Sequence, residues 1–279
     1  MARSTARAAK ARAGSVRVGV GGWTYEPWRG TFYPDALVQR LELEYASRHL
    51  TTIEVNGTFY RAQKPATYAK WRSETPDGFV FSLKAPRYAT DRRVLADAGR
   101  AISAFVQGGI AELGDRLGPI NWQLPEHKAF DADDVARFLD LLPAELEGEP
   151  LRHAIEVRHD SFACAAFVEL MRSRGAAIVH AQSPKYPSIA DLTADFVYAR
   201  LMHSETERPA GYAPAVLDAW TTRAQAWARG GDPAELAHVT TVAAPQRVRD
   251  VFVYFIGAAK VRNPAAAMAL IERLREHAS

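Results

Sequence analysis

One cysteine, Cys164, stands in 279 residues. An internal disulfide and any multi-cysteine metal site are therefore excluded. No apolar run approaches the about 20 residues that a membrane-spanning helix needs, so a soluble, cytoplasmic protein with no membrane partner is the expectation. No G-x-G-x-x-G follows the first strand-like run, which argues against a dinucleotide-binding fold. No H-E-x-x-H motif, Asp-rich cluster or internal repeat is present. Strong net charge is also missing. The chain carries +3 in total, but residues 1–15 hold Arg3, Arg7, Lys10 and Arg12 without an acidic residue. That tail accounts for +4 and leaves the remainder at −1. Nucleic-acid binding is accordingly weakly supported and would depend on the tail. The tail is rich in Ala and Arg, has no aromatic residue and reads as disordered. It is too poor in Ser and apolar residues to read as a targeting segment.

What is present is alternation. Strand-like runs fall at 16–22, 52–59, 79–85, 118–124, 153–159, 176–182, 195–202 and 250–256. Amphipathic stretches lie between them near 38–49, 65–74, 94–114, 132–142, 162–174, 213–229 and 263–276. The interval 183–194 is too short for a full helix and is expected to hold a turn or a short 3₁₀ piece. Strands alternating with helices indicate a parallel sheet. Eight strands in a chain 48% hydrophobic fit a single α/β domain, a (β/α)₈ TIM barrel over 16–279, since such barrels take roughly 250 residues. Residues 203–212 follow the seventh strand and fall on the active face of a barrel. Residues 230–249 fall on the opposite face and read as scaffold variation.

Side chains alternate faces along a strand, so an apolar set facing the helices assigns the other set to the lumen. Ile53 and Val55 turn Glu54, Asn56 and Thr58 inward. Phe81 and Leu83 turn Lys84 inward, and Ile120, Trp122 and Leu124 do the same for Asn121 and Gln123. Ile155 and Val157 leave Glu156 and Arg158 inside. On the sixth strand Val179 reads outward and His180 and Gln182 inward. Val197 and Leu201 place Tyr198 and Arg200 inside, and Val251, Val253 and Phe255 do so for Tyr254. A barrel interior is ordinarily Val, Ile and Leu, and an unpaired buried charge costs several kcal/mol. Five lumenal charges, Glu54, Lys84, Glu156, Arg158 and Arg200, thus mark either a functional site or a purely structural ion-pair network.

Several motifs together resemble the YecE-like family, known as domain of unknown function 72. They are VGVGGWTYEPWRGTFYP (18–34), EVNGTFYR (54–61), FVFSLKAPR (79–87), LGPINWQLP (117–125), AIEVRHDSF (154–162), DFVYARL (195–201) and DVFVYF (250–255). The resemblance implies a TIM barrel and brings no settled activity. This chain departs from the family pattern in two places. Met202 stands between the Arg-Leu pair and His203, and Ile256-Gly257 replaces an Asn-Asn-containing segment.

The chemistry these residues support divides several ways. Glu54 and Glu156 are the acid–base candidates, if cations lower one pKa and burial raises the other. The plainer reading pairs at least one of them with Arg or Lys. Lys84, Arg158 and Arg200 form a candidate anion pocket for phosphate or carboxylate, and a desolvated Lys84 is alternatively a Schiff-base nucleophile. A metal reading rests on His159, His180 and His203 near three consecutive strand ends, with Glu156 close by. Trp23, Tyr25, Trp28, Phe32 and Tyr33, with Phe59 and Tyr60, mostly read as a cap over the mouth. Trp23 and Tyr60 are the rings that could stack on a sugar or base, and Gly21 and Gly22 allow a close backbone approach.

The preferred expectation is a metal-independent enzyme, a hydrolase or lyase with no cofactor, acting on a small anionic sugar- or nucleotide-like substrate at the C-terminal face. Its catalytic residues are Glu54 and Glu156; Trp23, Tyr25, Asn56, Tyr60, Lys84, Gln123, Arg158, His180, Arg200 and Tyr254 bind substrate. The alternatives are a divalent-metal phosphodiester hydrolase and a non-catalytic ligand-binding barrel.

Overall fold

The computed structural model describes residues 13–277. Eight parallel strands close into a barrel: β1 (Val16–Gly21), β2 (Thr52–Val55), β3 (Val80–Lys84), β4 (Leu117–Gln123), β5 (His153–Glu156), β6 (Ala177–Gln182), β7 (Phe196–Leu201) and β8 (Asp250–Phe255). Each strand pairs with its chain neighbours and β8 returns to β1, with Gly19 beside Tyr254. The expected disordered tail falls largely on residues outside those described. Gly14 and Ser15, however, already belong to the fold. The Gly14 N–H donates to the Ala228 carbonyl, and the Ser15 hydroxyl donates to Asp250 at 2.7 Å.

The helices form where the local signals place them. Pro65, Pro214 and Pro264 stand in the first turns of α3 (Pro65–Ser73), α8 (Pro214–Ala228) and α9 (Asn263–Glu276), where a missing N–H costs nothing. α1 (Glu42–His49) and the single-turn α2 (Gly57–Tyr60) precede them. A second single turn, α4 (Arg87–Thr90), follows β3. The Asp131 side chain caps α6 (Ala132–Asp140) by accepting from the Asp134 N–H, a device worth about 1 kcal/mol. Gly175, with φ of 62°, ends α7 (Ala165–Arg174). The stretch 94–114 is not one helix. α5 (Gly99–Val106) is bracketed by 3₁₀ turns, and Gly109 and Gly114 take positive φ.

Two features matter for the site. β2 ends at Val55, four residues sooner than the expected run. Asn56 and Thr58 therefore leave the sheet and start α2, with the Thr58 hydroxyl donating to the Val55 and Lys84 carbonyls. No helix occupies 183–194. Its buried stretch Ile189–Thr193 is pinned to the 230–249 loop instead. Asp191 accepts the Val239 and Thr240 N–H groups, and the Ala190 N–H donates to Ala237. The long loop thus covers the ground of the missing sixth helix, in keeping with a scaffold role.

Two apolar cores result. The larger lies between sheet and helices and includes Ile53, Leu83, Trp122, Ile155, Leu201 and Phe255. The smaller fills the lower lumen, where Val80, Ala154, Ala177, Val179, Phe196 and Phe252 pack beneath Tyr198 and Tyr254. Above it the lumen turns polar.

Candidate functional site

The polar lumen is built in tiers. Lowest are two hydroxyl pairs. Tyr254 Oη and Thr52 Oγ1 lie 2.9 Å apart, as do Tyr198 Oη and Ser82 Oγ. Thr52 and Ser82 donate onward to the Val80 and Pro119 carbonyls. Every member therefore has a partner, as buried polar groups require.

Above them Arg200 lies between the two glutamates. Its Nη1 donates to Glu156 Oε2 at 2.7 Å and its Nη2 to Glu54 Oε1 at 3.0 Å. Tyr198 Oη donates to Glu54 Oε2 at 2.6 Å. Asn121 Nδ2 bridges both carboxylates, at 3.3 Å to Glu54 and 3.2 Å to Glu156. Arg158 closes the set with Nε and Nη2, each 3.1 Å from Glu156 Oε1. All four carboxylate oxygens are thus occupied. The plainer sequence reading, that a glutamate pairs with a cation, holds for both. Glu156 feels opposed effects. Burial raises its pKa, while Arg200, Arg158 and Lys84 outweigh burial and hold it at about 2. Gln123 approaches Glu156 without an aligned hydrogen bond, and its Nε2 has no partner. Tyr198 is pushed well above its ordinary pKa, chiefly by burial and then by Glu54, and stays a donor. An ionised, saturated Glu156 has no proton to give near neutral pH, so the acid role fits it poorly.

Lys84 stands apart. Its side chain is buried, 6% exposed, yet Nζ makes no hydrogen bond or ion pair with any described residue. Nζ lies over the face of Phe59, 4.1 Å from the ring centroid. Burial, followed by Arg200, lowers its pKa to about 8 against the partial compensation of Glu156 and Glu54. Lys84, Gln123 and Arg158 line a cavity of about 490 Å³ at the C-terminal mouth of β3–β5. Phe59 and Tyr60 form one wall and Arg87, Asp91, Glu126 and His127 the rim. Asp91 accepts from Arg87 at 2.8 Å and faces His127 Nε2 at 3.4 Å. The Arg158 guanidinium covers the Tyr186 ring at 4.4 Å.

Not every expected site residue joins this group. Tyr60 does, with 79% exposure. Tyr254 lies in the hydroxyl tier below. Asn56 reaches across the β1 end, its Nδ2 2.7 Å from where a Cβ on Gly21 would stand, with Ile256 Cδ1 at 2.8 Å. Only glycine leaves room for both side chains there. Trp23 turns away and meets Trp71 edge-on at 5.2 Å, in a separate cleft with Lys64 and Lys70. Tyr25 packs on Trp28 and under Lys260 Nζ, 4.2 Å from its ring. Trp28, Phe32 and Tyr33 are buried, as a cap requires.

His180 does not face the lumen. Register places Val179 beside Tyr198 and Ala181 beside Arg200, so these point inward and His180 points out. It packs against Trp220 and Trp227 and shares a hydrogen bond with the Ile189 carbonyl at 3.4 Å. Burial lowers its pKa to about 4. The expected inward reading of His180 and Gln182 is therefore corrected. The outer face of β6 tolerates polar groups because an irregular segment, rather than an apolar helix, packs over part of it.

His159 is engaged with Ser161, and the His203 side chain is exposed. Among the described residues no group of three or more His, Cys, Asp or Glu is placed to hold a metal ion. The rim residues Arg87, Asp91, Glu126 and His127 lie on loops after β3 and β4. Strand alternation is silent about loops, so nothing in the pattern marked them out.

The fold and site define a (β/α)₈ barrel whose upper lumen is an ion-pair platform beneath a cationic mouth. The chain belongs to the DUF72 family, "Protein of unknown function DUF72", whose model matches residues 17–279. Among solved structures it is similar to a DUF72 family protein from Thermotoga maritima, with 22% identity, TM-score 0.68, and 95% of this chain and 99% of that one covered. A DUF72 family protein from Enterococcus faecalis matches at 14% identity and TM-score 0.67, with the same coverage. SacUVDE matches at 12% identity and TM-score 0.51, again over 95% and 99% of the two chains. At these identities the likeness is one of fold. No curated protein matches the sequence. No helix among the described residues is long and apolar enough to cross a membrane.

Proposed function

We propose that the barrel mouth binds a small organic anion, a phosphorylated or carboxylated compound of sugar or nucleotide size, and acts on it without a metal ion. The observation that carries this reading is the buried Lys84 ammonium, which has no anionic contact in the protein and faces a cavity that Arg158 also lines. A desolvated cation without a partner is costly, and an anionic ligand relieves that cost. The volume of about 490 Å³ suits such a ligand. Phe59 and Tyr60 supply an aromatic wall. The donor set supports metal independence, because the carboxylate oxygens of Glu54 and Glu156 already accept from Arg200, Arg158, Tyr198 and Asn121. Within this reading Glu54 and Glu156 act chiefly by positioning the two arginines.

A second reading, a barrel that binds without turnover, is favoured by Ile256. It packs on the inner cluster at the end of β8, where the sequence departs from the polar segment seen in the family. Titration calorimetry with inorganic phosphate and ribose 5-phosphate tests the site. Lys84→Met and Arg158→Met are each expected to weaken binding at least tenfold, and rising salt to weaken it further. Binding unaffected by both variants would refute the assignment.

A further inference from the structure

Lys84 has a second property that anion binding alone leaves unused. We infer that Lys84 is an imine-forming nucleophile, and that the substrate class is an aldehyde or ketone that also bears a phosphate or carboxylate. The inference rests on the reading above for the anionic half of the substrate.

The geometry meets the needs of such a lysine. The amine must reach the substrate, and Nζ faces the cavity. It must also be free of an acceptor that would hold it as ammonium. Lys70 and Lys185 are tied to Glu74 at 3.6 Å and to Glu126 at 2.8 Å, whereas Lys84 Nζ has no ion-pair partner among the described residues and lies over the Phe59 ring. The carboxylates nearest in charge, Glu54 and Glu156, are spent on Arg200 and Arg158. A pKa of about 8, set by burial and by Arg200, leaves a usable share of neutral amine near neutral pH. Arg158, on the same cavity, is placed to hold the anionic end.

In the reaction the neutral amine attacks the carbonyl carbon, forming the C–N bond as the C=O pair moves onto oxygen. The nitrogen gives up one proton as the alkoxide takes one to become a hydroxyl. That hydroxyl takes up a second proton and leaves as water while the nitrogen pair forms C=N. Loss of the remaining nitrogen proton gives the neutral imine. Amine plus carbonyl gives imine plus water, with no oxidant or reductant. His127, Asp91 and Glu126 line the same cavity and are the titratable groups on its rim through which the protons can pass.

Reductive trapping on the full chain tests this. The protein is incubated at pH 7 with glyceraldehyde 3-phosphate, or with unphosphorylated glyceraldehyde, and sodium cyanoborohydride. Peptide mass spectrometry then reads the adduct at each lysine. The expected result is labelling of Lys84 at least tenfold faster than Lys70 or Lys185, faster with the phosphorylated aldehyde, and suppressed by inorganic phosphate. Labelling of Lys84 no faster than Lys70, while calorimetry shows phosphate bound, overturns the imine and leaves the anion pocket standing. Selective labelling by both aldehydes without phosphate binding supports the imine and overturns the anion pocket. The wild-type chain provides each readout, so no outcome depends on a variant that folds.

Discussion

Replacing Arg200 with leucine is the sharpest probe of the lumenal platform. The Arg200 side chain is 3% exposed, and those of Glu54 and Glu156 are 0% and 1%. Removing the guanidinium leaves two buried carboxylates, with Arg158 still on Glu156 but no cation on Glu54. Breaking a buried pair by deleting one partner costs about 3–5 kcal/mol. Arg200 is the foremost of the three cations that lower the Glu156 pKa from its ordinary 4.5 to about 2 against burial, so its removal gives up much of that stabilisation. In the intact protein this contribution is fully present above the unfolded pKa and disappears as pH falls toward 2. Without Arg200 the burial of Glu156 is opposed by Arg158 and Lys84 alone, so its pKa rises and the difference in stability between the variant and the parent narrows as pH falls. Urea unfolding followed by tryptophan fluorescence should show the midpoint drop by about 1–1.7 M at pH 7, for a slope of about 3 kcal/mol/M. Part of that loss should return at pH 5. A loss below about 1 kcal/mol, unchanged between pH 7 and pH 5, would mean that the carboxylates do not share a buried counter-charge.

Three further outcomes follow from the same contacts. Asp134 accepts the Leu95 and Ala96 N–H groups and Lys128 Nζ at 2.6 Å, so Asp134→Ala should cost about 2–4 kcal/mol in urea unfolding, with Asp134→Asn costing less. His180 is neutral in the fold, with its pKa at about 4 against 6.5 unfolded. Its contribution to stability therefore falls as pH drops from 6.5 to 4. His180→Phe should remove that slope from the difference between the two proteins and leave phosphate affinity within twofold. Deleting residues 1–12 removes four basic residues while sparing Gly14 and Ser15. Any nucleic-acid binding should then lose its steep salt dependence, and a retained slope in a filter-binding assay would show that the barrel itself binds.

How much of this was legible in the sequence depended on whether a strand's two faces differ chemically. On β5 and the two residues past its end, Ile155 and Val157 alternate with Glu156 and Arg158, and the structure turns each as the pattern indicates. On β7 the same contrast set Tyr198 and Arg200 against Val197 and Leu201. On β6 Ala177, Val179 and Ala181 share one face and Ile178, His180 and Gln182 the other, so apolar residues stand on both. The rule that polar groups point inward then chose the wrong side. The deciding fact was the missing helix after β6, which left the Ile189 carbonyl free to meet His180. Helix ends marked by Pro or by an Asp cap were readable because those signals are local. The break in 94–114 turned on Gly109 and Gly114 taking positive φ, which composition alone does not require. Loop residues such as His127 and Asp91 carry no periodicity at all.

The position of the charges alters what the interior is for. Two carboxylates on different strands invite an acid–base pair, yet here they share Arg200 and Asn121 and have no free oxygen. Under the proposed function, groups so fully bonded contribute field and position rather than proton transfer. What the platform does is set the charge above it. Arg200 helps keep Lys84 from holding its proton firmly, while Glu156 fixes Arg158 at the cavity edge. The network that looks structural from below is therefore the electrostatic floor of the cavity above, and Lys84 is the group on which the structural and functional readings meet.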